Sequence, residues 1–160
     1  MSINHRSQKG FTLVELLIVV IILGILAAVV IPQFNSAASE SKEAALASNL
    51  ATVRQAIEMY KVQHTDQFPT DLGGATTGQL VNKTDVVGAI DPAGLYGPYL
   101  RNAFPSNPVS GATSKNSVAL VTTMPGAGDD STGWVYNTAT GEFRANTPLA
   151  GPSGTLFYDL

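Results

Sequence analysis

The chain has 160 residues, enough for one domain with its own hydrophobic core and too few for a second of ordinary size. Nine Lys and Arg against twelve Asp and Glu give a net charge of −3 without a basic cluster, which excludes the electrostatic footprint of a nucleic-acid-binding protein. The chain has no cysteine, so disulfides, thiolate metal sites and thiol catalysis are excluded as well.

An uncharged apolar segment dominates the N-terminal part of the chain. No charged side chain occurs from Leu16 to Ser39, and a helix over residues 11–31 would be about 30 Å long, the thickness of the hydrocarbon core of a bilayer. Arg6 and Lys9 precede this segment, so the positive-inside rule places the N-terminus in the cytoplasm. We therefore predict a single transmembrane helix, with the bulk of the chain, which follows it, outside.

Simpler interpretations of this segment fit less well. A cleavable secretory signal requires a small residue at −3, and cuts after positions 27 or 28 would leave Ile25 or Leu26 there. A plain anchor gives no reason for Glu15, since a carboxylate inside the membrane costs about 3 kcal/mol on insertion scales. A Glu15 side chain that merely reaches back to the cytoplasmic headgroups stays open as an alternative.

The residues at the start of the segment resemble a known family. The run from Lys9 to Glu15, KGFTLVE, is similar to the processing motif of type IV pilins and of the pseudopilins of type II secretion. The resemblance implies that a prepilin peptidase cuts between Gly10 and Phe11 and that the new N-terminus at Phe11 is methylated. It also implies that Glu15 is needed for filament assembly.

Elementary chemistry is consistent with these roles. Gly10 has no Cβ, so a protease can approach its backbone closely. Cleavage would expose a positively charged amine at Phe11, and a neighbouring subunit displaced along a filament could bring that amine to Glu15. A buried ion pair of this kind favours a defined register more than stability.

An amphipathic stretch follows the apolar segment and continues its helix. Apolar residues recur there at intervals of three and four, which predicts a helix over residues 11–64 with one face packed on the chain's own sheet. Pro32 lies inside this pattern and predicts a kink or a place where the helix loosens. The apolar stripe consists of Leu46, Leu50, Val53, Ile57 and Tyr60.

The rest of the chain, residues 65–160, predicts a small globular region. Turn residues dominate up to about Ser117, with a short helix between Thr77 and Lys83 capped by Thr76 or Thr77. Three short antiparallel strands follow, the last two joined as a hairpin through residues 138–140. The strands are predicted at Val118–Met124, Gly133–Asn137 and Gly141–Ala145. The expected fold is α+β and pilin-like, a long N-terminal helix packed on a small antiparallel β-sheet.

Several loops resemble the G-type major pseudopilin. Gly97–Leu100 (GPYL) and Phe104–Pro108 (FPSNP) look like its loop motifs, and Trp134–Asn137 (WVYN) resembles a pseudopilin hairpin. Val109–Gly111 stands where that subunit usually has a Trp-Gly step, and the chain lacks a clear acidic calcium loop at its C-terminus. The major pseudopilin and a related subunit therefore both stay open.

Few residues offer catalytic or metal-binding chemistry. His64 is the only histidine after residue 10 and lies at the predicted helix end, where a polar residue is expected. Asp129 and Asp130 are weak calcium candidates in a Gly-rich loop, with a solvated turn as the preferred interpretation. We expect no enzyme, and no cofactor other than possible calcium. Tyr96, Tyr99, Phe104 and Trp134 are expected to be core and loop anchors.

The resemblance implies an organisation and a set of partners. Residues 1–10 would be a leader, residues 11–64 the long helix with 11–31 transmembrane, and residues 65–160 the globular region. The chain would pass once through the bacterial inner membrane, with its C-terminal part periplasmic. It would then join a type II secretion pseudopilus made of copies of itself. Its partners would be the lipid bilayer, prepilin peptidase, other pseudopilins and the inner-membrane assembly platform, without direct nucleic-acid binding.

Two other functions stay open. A type IV pilus or competence-pilus subunit shares the N-terminal motif, although the absence of a cysteine pair favours the pseudopilin. A membrane-anchored binding module with a pilin-like leader belongs to a different class of protein.

Overall fold

The structure is a computed structural model that describes residues 10–73, 78–101 and 103–160, with the backbone alone at residues 31, 32, 34 and 35. The chain divides between residues 38 and 39 into two compact units. A single long helix, α1, spans Leu13–Gln63 and contributes to both. This confirms the long N-terminal helix predicted over residues 11–64.

The first unit contains the apolar part of α1. Leu13–Val30 has a mean hydropathy of 3.2, none of it is buried within the protein, and it is long and apolar enough to cross a membrane. The helix α1 continues through position 32, so Pro32 does not end it. The kink expected at this residue stays a prediction.

The second unit is built on the other part of α1. The predicted stripe of Leu46, Leu50, Val53, Ile57 and Tyr60 is buried, with no member more than 2% exposed. It packs against large side chains of the sheet and of the loops around it, which confirms the amphipathic interpretation. The main partners are Leu72, Leu80, Phe104, Trp134, Tyr136 and Phe143.

The sheet has three short strands in the order β1-β2-β3. The strands are β1 Val118–Val121, β2 Trp134–Asn137 and β3 Phe143–Ala145. β2 and β3 pair antiparallel as the predicted hairpin, with Trp134 opposite Ala145. Together with α1 they form the expected pilin-like α+β fold.

The prediction of a fully antiparallel sheet is wrong for β1. This strand pairs parallel to β2, with Val118 opposite Trp134 and Val121 opposite Asn137. A parallel pair needs a crossover of about a dozen residues, and the connection over residues 122–133 is long enough to return the chain to the same end of the sheet. β1 also stops at Val121 instead of Met124, because β2 ends opposite it.

The loop region contains turns where a short helix was expected. Residues 79–81 form a turn, while Thr76 and Thr77, the expected caps, lie outside the described residues. The side chain of Gln79 lies inward here, accepting hydrogen bonds from the N–H groups of Thr70 and Asp71 at 2.7 and 3.0 Å. These contacts to distant backbone take the place of a local helix. A short 3₁₀ helix, η1 at Phe157–Asp159, packs against β3 and was not predicted.

Candidate functional site

The segment at the start of α1 carries the residues singled out for processing and assembly. Gly10 and Phe11 precede the helix and are exposed, Phe11 to 83%. No described atom lies within 4 Å of the position that a Cβ on Gly10 would take. The described part of the chain therefore leaves room for a side chain at this position. The basic residues Arg6 and Lys9 lie outside the described residues.

A reciprocal hydrogen-bond pair closes the first turn of α1. Thr12 donates from its backbone N–H and from its hydroxyl to Glu15 Oε2, both at 2.8 Å. In return, the N–H of Glu15 donates to Thr12 Oγ1 at 3.2 Å. This is a capping box, which satisfies N–H groups that have no partner within the helix.

The capping box gives Glu15 a partner that sequence reasoning missed. Thr12 was noticed only as part of the processing motif, although Thr-x-x-Glu in front of an apolar run is itself a signal for a helix start. All hydrogen bonds that the described residues make to this carboxylate go to Oε2. None of the hydrogen bonds among the described residues uses Oε1.

The apolar face behind this segment is continuous. Every large apolar side chain described from Leu13 to Val30 is between 40 and 80% exposed. Gly24, within this stretch, has no described side chain near it. Exposed apolar surface of this extent must be covered by lipid or by other protein.

The two aspartates considered for calcium are held by hydrogen bonds within the globular unit. Asp129 Oδ1 accepts hydrogen bonds from the N–H and hydroxyl of Ser131 at 3.0 and 2.7 Å, and from Asn146 Nδ2 at 2.8 Å. These bonds, first of all the one from the Ser131 N–H, lower the pKa of Asp129. Asp130 Oδ1 accepts from the hydroxyl of Ser110 and the N–H of Gly111, both at 3.0 Å.

No three His, Asp or Glu side chains come close enough together to share a metal ion in the part of the chain that the structure describes. Calcium binding at Asp129 and Asp130 stays a prediction.

His64 is buried and its imidazole contacts two separate parts of the globular unit. It follows the last residue of α1, is 1% exposed and stacks on Tyr60 with ring centroids 3.8 Å apart. Its Nδ1 lies 2.8 Å from the carbonyl oxygen of Tyr60. Its Nε2 lies 3.0 Å from Thr84 Oγ1 and 2.9 Å from the carbonyl oxygen of Asp85. The imidazole thus joins the end of α1 to the loop that starts at Thr84.

The aromatic residues lie where the sequence predicted them. Phe104 and Trp134 are core residues at 2 and 0% exposure. Trp134 Nε1 donates to the carbonyl oxygen of Pro105 at 2.9 Å, and the hydroxyl of Tyr99 donates to Gln63 Oε1 at 2.7 Å. The indole N–H of Trp134 and the hydroxyl of Tyr99 thus form hydrogen bonds that help to hold the loops on the core.

Comparison with known proteins supports the same segment. The family profile described as "Prokaryotic N-terminal methylation motif" matches residues 5–31. The chain is similar to the "Type II secretion system core protein G" of Pseudomonas aeruginosa, with 41% identity over 61 residues. These residues are 38% of this chain and 43% of that protein, so the match spans less than half of this relative.

Two further relatives match over a larger part of their length. The "Type II secretion system core protein G" of Klebsiella michiganensis is 31% identical over 111 residues, 68% of this chain and 72% of that protein. The "Type IV major fimbrial protein FimA" of Dichelobacter nodosus is 33% identical over 120 residues, 71% of this chain and 77% of that protein. No solved structure matches significantly. Because these alignments must extend beyond the apolar segment into the globular unit, the chain belongs to the family of type IV pilins and type II secretion pseudopilins.

Proposed function

We propose that the chain is a structural subunit of a type II secretion pseudopilus, a periplasmic filament that helps to export folded proteins. The observation that carries this proposal is the apolar segment Leu13–Val30, none of it buried, with its capped carboxylate, in a chain related to core protein G. Such a segment has to be covered first by lipid and later by copies of itself. The relatives are named as core or major fimbrial proteins, which favours a structural role over an enzymatic one.

The proposed precursor lies in the inner membrane. Arg6 and Lys9 precede the apolar helix, so the N-terminus is cytoplasmic and the globular unit periplasmic. A prepilin peptidase then cuts between Gly10 and Phe11. The exposure of this bond, and the room that the described residues leave around Gly10, support an external reason for glycine there.

In the proposed filament, the α1 helices of neighbouring copies pack together. Burial of apolar surface stabilises this packing by about 25 cal/mol per Å². The Phe11 amine of one copy pairs with Glu15 of another, which sets the register between them. A contact of this kind between two different surfaces does not close into a ring, so it continues as an open fibre.

Assembly also requires other proteins. The inner-membrane platform and the other pseudopilins would supply initiation and driving force. The Klebsiella michiganensis relative, 72% of whose length matches this chain, is named as a core protein of type II secretion, which supports these partners.

A type IV pilus subunit is the second candidate. It is favoured by FimA and by the "Type IV narrow pilus major component PilA5" of Thermus thermophilus, 37% identical over 72% of that protein. A membrane-anchored binding module would differ from both by retaining a specific ligand after purification.

Deletion of the gene separates the two filament systems. We expect a folded secreted protein to accumulate in the periplasm while surface fibres, twitching and DNA uptake stay normal. Complementation with the unmodified chain should restore secretion. Normal secretion together with lost surface fibres would contradict the pseudopilus and support the pilus.

A further inference from the structure

One loop of the globular unit presents four large apolar side chains to solvent. Val86, Val87, Ile90 and Leu95 are 56, 82, 47 and 89% exposed, and we call them the apolar crest. A single exposed apolar residue is ordinary in a globular protein. Four of them on one short loop are typical of a contact site.

The base of this loop is closed by backbone hydrogen bonds. Thr84 and Tyr96 exchange two of them, N–H to carbonyl, at 3.0 and 3.1 Å. At the tip, Asp85 Oδ1 accepts from the N–H groups of Val87 and Ala89 at 3.0 and 2.8 Å. Asp91 Oδ1 likewise accepts from the N–H of Ala93 at 2.8 Å, so both acidic side chains of the loop bond to their own backbone.

Side chains of the core hold the loop from beneath. His64 Nε2 lies 2.9 Å from the carbonyl oxygen of Asp85, and Gln79 Nε2 donates to the carbonyl oxygen of Gly88 at 2.6 Å. Gly88 has a φ of 84°, and the Tyr60 hydroxyl occupies the place that a side chain there would need. The crest therefore has its shape before a partner arrives, which lowers the entropy cost of binding.

An uncharged groove lies on the same unit. It has a volume of about 460 Å³ between α1 and residues 97–99, and its lining is uncharged. A second groove of about 400 Å³ is lined by charged side chains, among them Arg54, Glu58, Glu142, Arg144 and Asp159. Apolar side chains placed there would desolvate these charges at a cost, so of these two grooves the uncharged one suits the apolar crest better. Its lining includes Thr52, Gln55, Met59, Pro98 and Tyr99.

We propose that the apolar crest of one copy seats in the uncharged groove of the next copy in the filament. This rests on the proposed function, since it names a contact between filament subunits. Every copy carries both halves of the contact, and because the halves are different surfaces the contact propagates without closing. Met59, which is 54% exposed at the groove, has the flexible side chain that adapts to apolar partners.

Cysteine cross-linking of the full chain in its filaments tests this contact. The chain has no native cysteine, so Val87→Cys combined with Gln55→Cys introduces the only two thiols. A short thiol–thiol linker should then produce a ladder of trimers and larger products. Either single variant can link at most two copies. Val87→Cys with Thr122→Cys, which is also exposed, is the matched control and should give no ladder.

A second pair of variants measures the contribution of the contact. Val87→Asp should lower filament yield by about tenfold or more with unchanged thermal unfolding of the subunit, because the side chain is 82% exposed. Leu149→Asp, at a residue 49% exposed outside crest and groove, should leave the yield unchanged. Filaments without a ladder, or equal loss in both aspartate variants, would overturn the contact and leave the filament proposal intact. Failure of the unmodified chain to form filaments would overturn both.

Discussion

Glu15 accepts two hydrogen bonds from Thr12, both at 2.8 Å, so the carboxylate proposed to meet a neighbouring amine already closes the first turn of its own helix. The two roles differ in what they require. A helix cap needs a hydrogen-bond acceptor, whereas pairing with an amine needs a negative charge. The roles can therefore be separated by substitution.

Glu15→Gln should retain the cap and lose the assembly function. An amide oxygen still accepts from Thr12, but an uncharged side chain leaves the Phe11 amine of the neighbour unpaired. We expect both Glu15→Gln and Glu15→Ala to insert and to be cleaved normally, and to lower filament yield by about tenfold or more. Electron microscopy and quantitative blotting of sheared filaments measure the effect. Wild-type assembly of Glu15→Gln would reduce Glu15 to a helix cap.

His64→Ala should destabilise the globular unit by about 2–4 kcal/mol, because it leaves a cavity and breaks the tie between α1 and the loop at Thr84. Urea denaturation of the chain from Ser39 onward measures the change. Val62→Ala is a matched control on the last turns of α1, since Val62 is 75% exposed, and should change stability by less than about 0.5 kcal/mol. Equal stabilities of the two variants would show that the imidazole does not join the two elements.

The globular unit should lose stability in alkaline solution. Burial raises the pKa of Tyr60 to about 12, and burial also raises the pKa of Tyr136. An unfolded chain releases these protons near pH 10, while the folded one holds the Tyr60 proton to about pH 12. The folded state therefore binds more protons in that window, and stability falls as pH rises through it. Urea denaturation at pH 9 and pH 11.5 should show a smaller fall for Tyr60→Phe, and an equal fall would contradict this assignment.

Calcium should leave the stability of the chain unchanged. Asp129 and Asp130 already accept hydrogen bonds from neighbouring N–H and hydroxyl groups, which compete with a metal ion for their oxygens. We expect the same thermal unfolding midpoint in calcium and in EDTA. A midpoint raised by calcium in the wild-type chain but not in Asp129→Ala would instead establish a binding site in this loop.

Periodic patterns predicted the parts of the fold whose contacts are local or repeat regularly. The stripe from Leu46 to Tyr60 specifies one helix face, and the turn after Asn137 specifies a hairpin. The direction of β1 depends on how the chain returns over residues 122–133, which no local pattern records. Pairing between distant segments was therefore missed where local signals were read correctly.

The candidate site divides in the same way. Gly10, Phe11 and Glu15 form a contiguous motif that can be read from the sequence, and the Thr12 cap was also readable there. The burial of His64 could not be read, because its partners Thr84 and Asp85 lie about twenty residues away. The sequence around a histidine at a helix end does not show whether its side chain faces solvent or packs against a loop.

The intact mass and N-terminal sequence of the membrane-extracted protein test the central claim most directly. We predict a chain that begins at Phe11 and carries one added methyl group, and an uncut precursor from Gly10→Val. The structure gives that variant no reason to misfold, since no described atom lies near the Cβ position of Gly10. A wild-type chain that begins at Met1 or near Val29 would contradict pilin-type processing, and the filament function would fall with it.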